Sequence, residues 1–313
     1  MMNRRAFLKA VSTALACGTA LARPAAAEVS GERNCGAPAL FEKSGIVAEE
    51  YRFAAAVFPS EAWGTSKQHM HFDKGHLSGL DRDFPYETLI DIREGQFAYD
   101  AARVPDVAVA VANPHDPDSW RAAQTQCAMV KRAGAGLTLL FAAHPYPEYR
   151  YPFDPRTLAY EPEGGGMEGA DLVINFVTLN LREEFPRMVF AMTHFKGCMP
   201  GIDLFDIRAA LAGGKRAVYF RDTADGTQRA ARTTRFACNQ LGRSSVARHG
   251  FNGGLVLMEA CTWDPQELIE IADRFDQALP DDRGRQRLFV GVVGHYNVDP
   301  WMTMHAIVTY ATA

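Results

Sequence analysis

The 313-residue sequence is short of the signatures that most quickly betray a function. No Gly-x-Gly-x-x-Gly run sits between a strand and a helix, and no Gly-x-x-x-x-Gly-Lys-Ser/Thr loop occurs. Those absences argue against a Rossmann dinucleotide enzyme and a phosphate-loop NTPase. No Gly-x-Ser-x-Gly elbow offers an anchor for a serine triad. There is no Cys-x-x-Cys pair among six cysteines, so neither a stapled miniature scaffold nor a dithiol redox motif is implied. Basic residues do not outnumber acidic ones: Lys and Arg total 33 against 37 Asp and Glu, for a formal net charge of −4. That balance excludes a nucleic-acid-binding surface as the first expectation. Beyond the N-terminal stretch, no run is apolar and long enough to span a bilayer.

What is present begins at the N-terminus. Asn3-Arg4-Arg5-Ala6-Phe7-Leu8-Lys9 precedes a mild apolar stretch, Ala10 to Leu21, then Arg23 and the small residues Ala25-Ala26-Ala27. The run resembles a twin-arginine export signal. Residues 1–27 are therefore expected to be a signal peptide cleaved before Glu28, and the mature protein to be periplasmic or secreted, with no stable membrane insertion. Five cysteines would remain, Cys35, Cys127, Cys198, Cys238 and Cys261, an odd number that leaves at least one thiol free.

The densest concentration of chemistry is His69-Met70-His71-Phe72-Asp73-Lys74-Gly75-His76. On extended backbone, residues i and i+2 share a side, so His69, His71 and Asp73 could face one ion. A second pattern runs along the chain. Apolar stretches of strand length end in polar residues: Val107–Ala112 before Asn113 and His115, Leu137–Ala143 before His144, Met188–Met192 before Thr193 and His194. Ala217–Phe220 leads into Arg221 and Asp222, Leu255–Met258 into Glu259, and Leu288–Val293 into Gly294 and His295. Ligands of α/β sheets and barrels sit outside the carboxyl ends of strands, so these residues mark where a site would be built.

The His-x-His-x-Asp run resembles two families of metal-dependent hydrolase. One is the amidohydrolase barrel, whose cytosine-deaminase-like branch has a similar His-x-His-x-Asp-Lys run. The other is the metallo-β-lactamase fold, with His-x-His-x-Asp-His. Both place the motif directly after an apolar strand, whereas Ser60–Gln68 is polar here, and Lys74 stands where the second family has His. The resemblance implies a divalent metal, most simply zinc, held by His69 and His71 with His144 and His194 as further ligands. Asp73, Asp222, Glu259 and His295 would handle protons beside a metal-bound water.

The order of elements predicts one α/β domain over 28–313. Val107–Ala112, a helix opened by Asp116-Pro117-Asp118, and Leu137–Ala143 read as a βαβ unit with parallel strands. Residues 145–170 alternate prolines with tyrosines and read as a lid or substrate wall. Leu172–Leu179 and Met188–His194 stand close enough for an antiparallel hairpin. Asp264-Pro265-Gln266-Glu267 is a strong helix start. Residues 300–313 favour a return strand over a helix. A distorted (β/α) barrel and an open mixed α/β sheet both fit, with the barrel preferred for its polar strand ends.

Together these features predict an exported metal-dependent hydrolase acting on a small polar substrate through a metal-activated water. Two alternatives stay open. One is a periplasmic small-molecule binding protein without catalysis. The other is a thiol hydrolase pairing Cys261 with His295 across adjacent strand ends.

Overall fold

The computed structural model describes residues 51–58, 60, 88–97, 104–145, 169–178, 181–194, 202, 204–211, 216–242, 246, 250–260, 262–279, 288–294 and 301–310. Its strands are β1 Tyr51–Val57, β2 Thr88–Glu94, β3 Val107–Ala112, β4 Leu137–Pro145, β5 Leu172–Thr178, β6 Arg216–Ala224, β7 Phe251–Ala260, β8 Leu288–Gly294 and β9 Met302–Tyr310. The helices are α1 Pro117–Arg132, α2 Leu181–His194, α3 Leu204–Leu211, α4 Arg229–Leu241 and α5 Pro265–Ala278. All nine strands form one sheet in the order β2-β1-β3-β4-β5-β6-β9-β7-β8. Of the two arrangements the sequence allows, the open mixed sheet is the one found. The order starts at β2 and finishes at β8, and no pairing between those two closes a ring among the described residues.

The pairings from β2 to β6 are parallel, as is β7 with β8. Strand β9 alone runs the other way, antiparallel to both β6 and β7. Strands β1 to β8 therefore share one carboxyl edge. The βαβ unit read from the sequence is observed, with β3 and β4 parallel.

Side-chain size sorts the two faces. In β3 the valines, Val107, Val109 and Val111, join a core with Phe53, Phe141, Phe176 and the α2 and α3 residues Phe185, Met188, Ile207 and Leu211. The alanines between them, Ala108, Ala110 and Ala112, join Ala54, Ala56 and Ala142 under α1. Strand residues alternate between faces, so an alternating Val-Ala run builds one bulky face and one shallow face. The shallow face lets α1 lie close, with Trp120, Ala123, Cys127 and Val130 filling the gap. Gly169, at φ 124°, makes a second close approach. A Cβ there would stand 2.6 Å from Gln124 O and 2.9 Å from Ala128 N of α1. Gly169 closes a Gly-x-Gly-x-x-Gly spacing with Gly164 and Gly166, but it leads into β5 rather than out of a strand into a helix. Helices α4 and α5 cover the far end of the same face, over Val218, Phe220, Val256, Met258, Met304 and Val308.

Two helix starts follow their sequence signals. Asp116 caps α1, and Asp264 caps α5 in a capping box with Glu267. One expectation fails locally. Met188–His194 is not the second strand of a hairpin; it is the last half of α2. The buried residues Leu181, Phe185, Met188, Val189 and Met192 fall at helical spacing. Pro186 lies inside this helix.

Candidate functional site

In a doubly wound sheet of order 2-1-3-4-5, the switch point lies between β1 and β3, where successive connections leave in opposite directions. The described residues build a polar cluster there. Asn113, just past β3, donates from Nδ2 to Ser60 Oγ, just past β1, at 3.0 Å. Its Oδ1 accepts from the His115 N–H at 2.9 Å, and its carbonyl accepts from the Asp116 N–H at 3.2 Å. Ser119 Oγ on α1 donates to Phe58 O at 3.3 Å. The switch point is thus braced by the side chains of Ser60, Asn113 and Ser119 and by a short turn.

From that turn a chain of rings runs inward. His115 is exposed, and its Nε2 lies 3.1 Å from Nδ1 of buried His144. His144 Nε2 lies 3.2 Å from Asn175 Oδ1 on β5. With Asn175 Oδ1 accepting, His144 carries its proton on Nε2, and its Nδ1 accepts from His115. Burial pushes the His144 imidazole down from 6.5 to about 4; the Asn175 bond opposes this and His115 adds to it. His144 is therefore neutral near pH 7. Asn175 Nδ2 is buried and has no hydrogen-bond partner among the described residues.

A second polar cluster lies on the opposite face of the sheet. Tyr219 hydroxyl is 2.8 Å from His305 Nδ1, and His305 Nε2 is 2.9 Å from Glu259 Oε1. Arg221 clasps Glu184 of α2 with both Nε, at 2.8 Å, and Nη2. Register places Arg221 opposite His305, and Thr303 opposite both Thr223 and Glu259, so these side chains share the α2 and α3 face. Burial pushes the Tyr219 phenol well above its ordinary range, and Glu184 adds to that. Its proton is held, and the phenol is not a base near neutrality.

Among the described residues, the predicted His144, His194, Asp222 and Glu259 do not converge. His144 shares its side of β4 with Ala142, two residues before it, which puts it on the α1 face. Glu259 lies on the other face. Asp222 alternates with Arg221 and is turned away from Glu259. Burial raises the Asp222 carboxyl against the opposing pull of the Thr223 N–H, Arg221 and Arg232. His194 closes α2 and follows no strand. His69, His71, Asp73, Cys261 and His295 lie outside the described residues. Sequence reasoning missed Ser60, Asn175, Tyr219, Glu184 and His305 as partners. Asn175 in Leu172–Thr178 and His305 in Met302–Tyr310 did carry a signal, since a polar side chain inside an apolar strand must find an internal partner.

No protein-family model and no curated protein matches the chain. Solved structures do. The W319Y mutant of FtsZ from M. jannaschii superposes with a TM-score of 0.56 at 13% identity, covering 83% of this chain and 91% of that one. An empty FtsZ dimer from the same organism gives 0.53 at 12% identity, covering 83% and 88%. CetZ from Methanosaeta thermophila gives 0.49 at 10% identity, covering 83% and 87%.

This likeness corrects several expectations. The architecture is neither the amidohydrolase barrel nor the metallo-β-lactamase fold, so the resemblance carried by His-x-His-x-Asp does not extend to the chain. With it fall the metal-dependent hydrolase, the Cys261–His295 hydrolase and the periplasmic binding protein. The periplasmic placement inferred alongside that hydrolase loses its support too, and residues 1–27, read as a twin-arginine leader, lie outside the described residues. Zinc is not supported either. Among the described residues no three His, Cys, Asp or Glu side chains gather as a ligand set, and both nitrogens of His144 are engaged. Among the described residues no helix is long and apolar enough to cross a membrane. The finding that stands in place of those expectations is one of architecture: over 83% of its length, the chain shares the fold of FtsZ.

Proposed function

We propose that this protein binds a nucleoside-class molecule in the crevice outside the carboxyl ends of β1 and β3. The observation that carries the reading is the Ser60–Asn113 bond across the switch point, with the His115–His144–Asn175 chain beside it. Doubly wound sheets of this strand order take their ligands at that position, often nucleotides or flavins. The groups gathered here suit a base and a ribose. Imidazole, amide and hydroxyl side chains offer donors and acceptors without a fixed charge. The FtsZ-like fold is compatible with the same placement, since it supplies the parallel half-sheet on which the crevice stands.

The test is isothermal titration of the full chain with adenosine, guanosine, cytidine, uridine and riboflavin. At least one should bind with a dissociation constant in the micromolar range. Asn113→Ala should weaken that ligand by about tenfold, which is about 1.4 kcal/mol. Should all five leave the calorimeter trace flat, the reading is wrong.

A further inference from the structure

We propose that Asp116 closes this crevice to phosphate, so that its ligand is a nucleoside or free base rather than a nucleotide; the inference rests on the reading above. A helix N-terminus beside a switch point ordinarily attracts phosphate, because its first N–H groups are free and its dipole is positive there. At α1 these groups are accounted for one by one. His115 N–H goes to Asn113 Oδ1 and Asp116 N–H to Asn113 O. Pro117 has no N–H. The N–H groups of Asp118 and Ser119 both go to Asp116 Oδ1, each at 3.1 Å. Trp120 N–H goes to Asp116 O at 2.9 Å. From 115 to 120 every backbone donor is already used.

Charge reinforces the closure. The carboxylate of Asp116 occupies the place where a phosphate oxygen would stand. Asp118 adds a second carboxylate in the same turn, paired with Arg121 at 3.6 Å. Two like charges a few ångströms from a phosphate repel it. Toward the carboxyl edge of this face, the buried donors Trp120 Nε1 and Asn175 Nδ2 have no partner among the described residues, and both are neutral; Thr138 and the cationic Arg216, on the same face, stand at the opposite edge, at the starts of β4 and β6. The Trp120 and Asn175 donors suit a carbonyl or ring nitrogen and bring no charge to set against a phosphate.

The experiment is calorimetric titration of the full chain at pH 8 with guanosine and adenosine, each beside its 5′-monophosphate and 5′-diphosphate, and with inorganic pyrophosphate. It is repeated with Asp116→Asn. Asparagine caps helices as well as aspartate does, so this variant removes the charge and keeps the fold, and a thermal melt verifies that. Each nucleoside that binds should do so at least about tenfold more tightly than its diphosphate, and pyrophosphate should not compete. In Asp116→Asn that gap should shrink to about threefold or less. A diphosphate that binds as tightly as its nucleoside, or a gap unmoved by the substitution, overturns the inference while leaving the crevice reading intact. If neither nucleosides nor nucleotides bind, the crevice reading itself falls and takes the inference with it.

Discussion

His305 Nε2 lies 2.9 Å from Glu259 Oε1, joining β9 to β7 through side chains inside the sheet core. The other ring nitrogen accepts from Tyr219 on β6. One imidazole therefore bridges three strands. Removing one partner of a buried pair strands the other, which costs more than replacing both by apolar groups. Glu259→Leu should lower stability by about 2–3 kcal/mol and Tyr219→Phe by about 1 kcal/mol. The double variant should lose less than the sum of the two, since both act through His305. Urea denaturation followed by circular dichroism measures all three, and strict additivity would show that the bridge is not a unit.

His144 predicts a pH dependence of known sign. Its imidazole is held at about 4 in the folded protein against an ordinary 6.5. Between those values the unfolded chain binds the proton and the folded chain does not, so stability falls as pH drops through that window. The full loss, reached below about pH 4, is about 3 kcal/mol. Denaturation midpoints for wild type and His144→Gln should converge as pH falls from 7 to 4. A constant difference across that range would contradict the assignment.

Helix caps give a contrasting pair. Asp264 caps α5, and Glu267 returns a bond to the Asp264 N–H while accepting from Arg229 Nε at 2.8 Å. Burial works to raise the Glu267 carboxyl, but the bonds from Arg229 and Asp264 and the charge of Arg229 hold it below its ordinary value. Asp264→Ala should cost about 1 kcal/mol. Helix α4 is entered from Gln228, whose side chain makes no capping bond. Gln228→Asp should add up to about 1 kcal/mol, from the cap and from negative charge at the dipole's positive end. Thermal melts of the two single variants should move in opposite directions.

Cys127 is buried against the alanine face, and burial pushes its thiol up to about 12, with Asp171 adding to the shift. A thiol so placed is a packing group rather than a nucleophile. Labelling with a maleimide at pH 8 should leave Cys127 unmodified in the native protein and modify it only at the rate of unfolding. Peptide mapping by mass spectrometry distinguishes this from direct attack.

The sequence was most legible where one periodicity dominated. Alternating Val107–Ala112 could only be a buried strand, and Asp264-Pro265-Gln266-Glu267 could only open a helix. Met188–Met192 misled because a five-residue apolar run has no period of its own; the preceding turn, with Leu181 and Phe185, had to be read with it. The strand-end pattern located the carboxyl edge correctly at Asn113 and His144. It could not say which face each residue takes. That depends on register, and a single step decides whether Asp222 or Arg221 joins Glu259. The histidine run at 69–76 drew the functional reading because ligand chemistry is local, whereas the fold is set by long-range strand order. The bonds from Asn113 to Ser60 and from His144 to Asn175 cross 53 and 31 residues, beyond the reach of any local pattern.

Strand β9 inserts between β6 and β7, and among the described residues no other pairing links β7 and β8 to the rest of the sheet. It is also the last strand in sequence. During synthesis the ribosome releases β7 and β8 while the slot beside them is still empty. The strand that pairs with the inner edges of both β6 and β7 arrives only with residues 302–310. Until then the nascent chain carries two unpaired inner edges, the kind of surface that pairs with the wrong chain. Between making Gly294 and delivering Tyr310, the nascent chain therefore depends on its folding environment to keep those edges from pairing wrongly.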